Sequence, residues 1–196
     1  DHGRALARLP LHPRLAHMLA VAGPDSALLA ALMADRDPLR GAPVDLALRL
    51  EALRDLRRFR DRRPYQVKTP ALQAITAEAK RLRTRRGGQS DRAASAKGGP
   101  AASLTSESLS PAAMAALAYP DRVAQRRKGD DARYVLAGGK GAVLENSDPL
   151  ASAPYLVVTD SDGNPREAKV RLAAQITLPE IRGLFADQIT WQDVCS

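Results

Sequence analysis

The chain has 196 residues, 44% of them hydrophobic, and a single cysteine, Cys195. A chain of this length forms one domain or two small ones and hides roughly 70% of its unfolded surface, so it needs no metal or disulfide staple, and one cysteine excludes a disulfide framework. No apolar run approaches the roughly 18 residues of a membrane span, and the start at Asp1 carries no basic-then-apolar leader. The reading is a soluble, cytoplasmic protein with no membrane partner. It begins without methionine, inside what reads as a helix, so the chain is expected to be a fragment.

Thirty Lys+Arg against 22 Asp+Glu give a net charge of +8, which points toward a polyanionic or acidic partner. Residues 1–100 hold 20 basic against 10 acidic side chains, so the basicity belongs to the first half. Of the basic residues 24 are Arg; a planar guanidinium suits forked contact with phosphate, although a GC-rich coding bias would produce the same surplus.

Residues 3–33 read as helices. Pro13 sits in a first turn, Leu15, Met18 and Leu19 recur on one face, and Asp25 is the expected cap of a second helix with Leu28, Leu29, Leu32 and Met33 inward. Residues 45–62 read as a third helix, with Leu46, Leu50, Leu53 and Phe59 inward and Arg49, Arg54, Arg57, Arg58, Arg60 and Arg62 outward, ended by Pro64. A fourth starts at Thr69 and Pro70, buries Leu72, Ile75, Ala79 and Leu82, and ends in Lys80, Arg81, Arg83, Arg85 and Arg86, where cations complement the helix dipole. Residues 87–110 are rich in Gly, Ser, Ala and Lys and are expected to be a flexible linker.

Ser110 then caps a fifth helix, with Pro111 in its first turn and Met114, Leu117 and Ala118 inward. From there the period becomes alternating. Residues 133–137 and 142–144 read as a hairpin about the turn 138–141. Residues 155–159 are continuously apolar, as in a strand buried on both faces, and 162–165 turn the chain. Across 168–177, Val170, Leu172, Ala174 and Ile176 point one way and Lys169, Arg171, Ala173 and Gln175 the other. A short helix at 179–185 and a strand at 189–194 complete the pattern. The expected fold is α+β: a helical bundle (1–86), a linker (87–110), then a closing helix and a small antiparallel β-barrel of oligonucleotide-binding type (111–196).

Catalytic chemistry is tested and not found. The glycines around Lys140 suggest a phosphate loop, but Tyr134 and Gly141 stand where a Walker loop needs Gly and Ser or Thr, so a hairpin tip is the better reading. His2, His12 and His17 lack metal-ligand spacing, Cys195 has no base near it in sequence, and no carboxylate pair stands out. No catalytic, cofactor-binding or metal-ligating residue is assigned. Binding remains. Tyr119, Tyr134, Tyr155 and Trp191 could stack bases, although Tyr134 and Tyr155 read mainly as core. The candidate phosphate contacts are Arg57, Arg58, Arg62, Arg63, Arg85 and Arg86 in the helical part, Arg122, Arg126, Arg127 and Lys128 before the hairpin, Lys140 at its tip, and Lys169 and Arg171 on one strand face.

Two groups of motifs go further. GRALARLPLHPRLAHML (3–19) resembles the junction of winged helix and helical bundle in DEAH-box helicases. AALAYPDRVAQRR (115–127), RYVLAGGKGAVL (133–144), PYLVVTDSDG (154–163) and VRLAAQITLPEI (170–181) resemble the bacterial HrpB branch of that superfamily. The resemblance implies an ATP-dependent RNA helicase whose two RecA-like motor domains, with their ATP and Mg, precede Asp1. This chain would then hold the end of the winged helix, the ratchet bundle and the barrel, and would contact single-stranded RNA and the motor domains. The competing expectation is a protein-interaction or bracing module without nucleic-acid contact. A free-standing DNA-binding regulator fits less well, because no recognition helix with base-reading side chains stands out.

Overall fold

The computed structural model describes residues 11–93, 109–129 and 131–186, with the backbone alone for 86–93. Seven α-helices and seven strands occur among the described residues. Helix α1 (Pro13–Ala22) begins with proline where a backbone N–H would have no acceptor, and His12 Nδ1 accepts from Arg14 N at 3.4 Å. Gly23 ends it at φ 79°, a conformation that a side chain resists. The next helix, α2, runs Ala27–Ala34, after a 3-10 turn over Pro24–Ser26. Asp25 therefore lies inside that turn and is not the expected cap; Ser26 holds the turn instead, donating to the Gly23 carbonyl at 2.7 Å.

The single helix expected over 45–62 is two: α3 (Leu46–Arg54) and α4 (Leu56–Arg62). The joint is Asp55, extended at φ −149° and ψ 90°, whose carboxylate accepts from Arg58 N at 3.0 Å. A short acidic side chain competes with the backbone in mid-helix and is favoured at a cap, so the helix stops and restarts there. The apolar period conceals the break because Leu46, Leu50 and Phe59 are buried on either side of it. Helix α4 lies on a satellite core of Leu39, Ala52, Phe59 and Leu72, flanked by Tyr65 and Val67. That core also holds the two-stranded ribbon β1 (Leu39–Arg40) and β2 (Gln66–Val67), in which Leu39 faces Val67.

Helix α5 (Thr69–Ala93) buries Leu72, Ile75, Ala79 and Leu82 as expected and continues through 87–93, which the composition had assigned to the linker. The two glycines at 87 and 88 are tolerated in a helix already carried by its preceding turns. Residues 94–108 lie outside the described chain. Helix α6 (Pro111–Ala118) is capped by Ser110 Oγ, which accepts from Ala113 N at 3.1 Å. Three inward residues were expected, but Ala112 through Ala116 are all buried. The helix sits between α1 and the barrel, and small side chains on every face suit a helix covered all round.

Five strands close the barrel in the order β3 (Val123–Arg126), β4 (Arg133–Leu136), β5 (Gly141–Val143), β7 (Glu167–Gln175), β6 (Tyr155–Ser161), and β6 returns to β3. Residues 122–128, read as a charge cluster ahead of the first strand, include that strand. Four pairings are antiparallel; β5 and β7 run parallel, with Ala142 beside Ala168. Strand directions cannot alternate everywhere around a ring of odd number, so one parallel neighbour is unavoidable. The α+β class and a small closed barrel, consistent with the oligonucleotide-binding architecture, are thus present.

The barrel core packs Ala124, Ala132, Ala142 and Ala173 together with Leu144, Leu156, Val158 and Val170 around the Tyr134 ring. The Tyr134 hydroxyl lies 3.0 to 3.1 Å from the carbonyls of Leu150, Ala151 and Ala153, tying the ring to the short 3-10 helix Pro149–Ser152. Helix α7 (Leu178–Phe185) closes the described chain with a capping box between Thr177 and Glu180. The expected strand over 189–194 falls outside the described residues.

Helices and barrel share one core: Leu15, Leu19, Leu46 and Ile75 cluster with Val157, Leu172, Ala174 and Ile176. The joint between them rests on Arg49, which the period placed outward but which is only 2% exposed. Its Nε and Nη2 donate to the Asp37 carboxylate at 3.1 and 2.6 Å, and Nη1 donates to the carbonyls of Pro43 and of Asp45, the latter at 3.0 Å. The loop so held meets the barrel directly. Val44 N donates to Asp148 at 3.0 Å, and Val44 accepts from Ala173 N at 2.9 Å. Ala173, which alternation had turned toward solvent, is buried in the barrel cluster.

Replacing Arg49 by methionine keeps side-chain bulk but leaves the Pro43 and Asp45 carbonyls without their donor. Urea unfolding of Arg49→Met should show a loss of about 2 to 3 kcal/mol. A loss below about 0.5 kcal/mol would show that the loop is held by other means.

Candidate nucleic-acid interface

The candidate cations fall into three groups. The first lies on α4, where Arg57, Arg58 and Arg62 are exposed. Arg63, at the end of that helix, is exposed and donates to Glu51 at 3.1 Å, and Arg60 reaches Thr69 Oγ1 at 3.1 Å. The second is on α5: Arg85 is exposed and lines a shallow groove of about 430 Å³ with Lys80 and Arg81. The Arg86 side chain lies outside the described residues.

The third group surrounds the barrel and is better anchored. Arg122 is half-buried, its guanidinium 4.5 Å from the Tyr119 ring centroid, and it donates to the Thr159 carbonyl at 3.1 Å. Arg14, paired with Asp121, approaches the same ring at 5.5 Å. The Gly-rich turn is a hairpin tip, as its spacing suggested: Gly139 adopts φ 84°, Leu136 N donates to the Lys140 carbonyl at 2.8 Å, and Lys140 is exposed. Arg122 and Lys140 line a cavity of about 250 Å³ at one barrel end, closed by Gly163 and Asn164 of the β6–β7 turn. In that turn Asp162 accepts from the backbone of Asn164 at 3.1 Å and of Lys169 at 3.0 Å, which holds its carboxyl below the usual range.

Strand β7 directs Lys169 and Arg171 outward, as alternation required. They open onto different cavities on either side of the loop that Arg49 holds. Arg171 lines one of about 560 Å³ with Arg36, Asp35 and Asp160. Lys169 lines one of about 410 Å³ with Tyr65 and Glu145. Glu145 accepts from Lys169 at 2.6 Å, and that hydrogen bond lowers the Glu145 carboxyl, so this lysine is already partnered within the protein. Arg127 and Lys128 are exposed; Arg126 is half-buried near the Tyr134 phenol, which burial pushes up and Arg126 opposes.

Of the four aromatics proposed for stacking, Tyr134 is 1% exposed and serves the core, Tyr155 packs against the shared core, and Tyr119 carries the two guanidiniums. Trp191, His2 and Cys195 lie outside the described residues. Arg36 and Tyr65 escaped the sequence reading. Arg36 stands between Asp35 and Asp37, so no local charge excess marks it, and Tyr65 follows Pro64 in a segment with no period.

No family model matches the chain. It is 30% identical over 187 residues, 91% of its length, to the ATP-dependent RNA helicase HrpB of Escherichia coli K12, and spans 19% of that protein. The crystal structure of the E. coli DExH-box NTPase HrpB superposes with a TM-score of 0.65 at 27% identity, covering 98% of this chain and 21% of that one. A second crystal structure, of the E. coli DEAH/RHA helicase HrpB, gives 0.60 at 26% identity, covering 91% and 19%. The α+β arrangement is therefore shared with a segment of those HrpB structures. The chain is homologous to a segment of HrpB, about a fifth of that protein's length.

Arg122 is fixed by the Tyr119 ring and the Thr159 carbonyl, whereas Lys140 makes no such contact. Arg122→Met should lower stability by about 1 to 2 kcal/mol and Lys140→Met by less than about 0.5 kcal/mol, compared by thermal unfolding. Equal effects would refute the distinction.

Proposed function

We propose that this chain is an accessory module of an ATP-dependent RNA helicase, which holds single-stranded RNA through phosphate contacts while motor domains outside the chain hydrolyse ATP with Mg. The observation that carries this reading is the 30% identity to an RNA helicase across 91% of the chain. A small barrel with cations around one end supports it, as does the excess charge of the first 100 residues. The barrel contacts are Arg122, Arg126, Arg127, Lys128, Lys140, Lys169 and Arg171; the α5 cations Arg85 and Arg86 extend the basic surface. A cytoplasmic location follows from the same reading.

No nucleotide step is assigned to this chain. Its Gly-Gly-Lys-Gly stretch turns between two antiparallel strands, whereas a phosphate loop joins a strand to a helix. One observation favours the alternative bracing role: Arg14, Arg63, Arg133 and Lys169 already have carboxylate partners. A module of that kind would bind the motor domains and leave RNA alone.

Titration of labelled single-stranded RNA at several salt concentrations separates the two. Four phosphate contacts give a log–log slope near −3, at about −0.7 each; a flat response, or no binding at low salt, favours bracing. The purified chain should also hydrolyse no ATP, and RNA-stimulated turnover in a phosphate-release assay would overturn the division of labour proposed here.

A further inference from the structure

Helix α4, like the last turns of α5 with Lys80, Arg83 and Arg85, presents cations that form no ion pair or side-chain hydrogen bond among the described residues. Residues 54–63 contain six arginines and only two acidic side chains. Of these, Arg60 and Arg63 are held by Thr69 and Glu51, and the Asp55 carboxylate is taken up in capping the helix. Among the described residues the side chains of Arg57, Arg58 and Arg62 have neither an ion pair nor a hydrogen bond, and all three are exposed. Arg58 and Arg62 stand four residues apart on one helix face, an arrangement of like charges that costs the isolated helix stability. Nearness of Arg62 to the helix end recovers part of that cost, but Arg57 and Arg58 lie in the first turns, where the dipole disfavours cations.

The surroundings of the helix narrow the partner. Leu56 and Phe59 face the satellite core, and the one large hydrophobic side chain exposed among the described residues is Val21, on α1. Protein interfaces bury an apolar or aromatic centre, and α4 offers none. Single strands are gripped by stacking as well as by charge, but Phe59 of α4 is buried and Tyr65, half-buried against the satellite core, opens onto the Lys169 cavity. A surface of guanidiniums with the single carboxylate of Asp61 among them, still net positive, suits a polyanion recognised by its backbone, which is how double-stranded RNA is bound: by shape and by phosphate contacts. We infer that the Arg57, Arg58 and Arg62 face of α4 docks double-helical RNA, at a site separate from the single-strand contacts around the barrel. The identification of the polyanion as RNA rests on the function proposed above; the separateness rests on α4 lying on its own core, away from the barrel strands.

The test compares a blunt RNA duplex with a single strand of equal length, using this chain and Arg57→Glu/Arg58→Glu/Arg62→Glu. The triple variant should bind duplex at least about tenfold more weakly, with a log–log salt slope shallower by nearly 3 at about 0.9 per duplex phosphate, and single strand within about twofold of the parent. Because all three side chains are exposed, circular dichroism should be unchanged; a lysine triple variant, which keeps the charges, should retain duplex binding. Unchanged duplex affinity, an equal loss for both RNAs, no duplex binding by the parent chain, or equal competition by polyglutamate of matched charge would each overturn the inference. Failure to bind single strand with duplex binding intact would instead reject the single-strand role of the barrel.

Discussion

The junction between helices and barrel depends on one buried guanidinium. Burying a charge is costly unless it is paired and its donors are used, and Arg49 meets both conditions: two nitrogens take the Asp37 carboxylate and the third takes two carbonyls of the 43–45 loop. That loop would otherwise bring unpaired carbonyls to a barrel surface. Held by Arg49, it offers one N–H to Asp148 and one carbonyl to Ala173, so the helical layer enters the hydrogen bonding of β7. Asp148 in turn caps the 3-10 helix whose carbonyls receive the Tyr134 hydroxyl. A continuous chain of polar contacts thus links Asp37 in the helical layer to the centre of the barrel.

Apolar packing completes the junction. Helix α6 can sit between α1 and the barrel because five of its eight residues are alanine, and the approach of backbones that small side chains allow substitutes for the area that larger ones would bury. In the barrel, six alanines leave room for one tyrosine ring among Leu144, Leu150, Leu156, Val158 and Val170. Relative motion of the two layers would break both the Arg49 contacts and this close packing. They therefore present their outer cations in a fixed geometry, with Arg171 and Lys169 on opposite sides of the clamped loop.

Much of this was legible in the residues because it follows local rules. Pro13 and Ser110–Pro111 mark helix starts, Leu72, Ile75, Ala79 and Leu82 define a buried face by period alone, and alternation along β7 separates Val170 and Leu172 from Lys169 and Arg171. What escaped depends on tertiary partners. Arg49 reads as exposed until Asp37 and the loop carbonyls surround it, and Ala173 reads as exposed although it packs in the barrel cluster. The break at Asp55 leaves the apolar period intact. Strand β3 was hidden by its own charges: Arg126 and its neighbours look like a solvated run, and only pairing with Tyr134 on one side and Tyr155 on the other reveals a strand.

The same distinction governs the candidate interface. A list of arginines and lysines treats every cation alike, yet the folded chain separates those consumed by its own structure from those left to solvent. Arg49 and Arg122 serve the fold, and Lys169, Arg133 and Arg63 are tied to carboxylates. Exposed ion pairs contribute little to stability, but each one cancels charge where a phosphate would otherwise approach. A net excess of basic residues therefore overstates the positive potential around the barrel and understates it on α4, where Arg57, Arg58 and Arg62 form no ion pair among the described residues. The position of an uncompensated cation, more than the total of cations, determines where a polyanion can gain free energy by releasing its counterions.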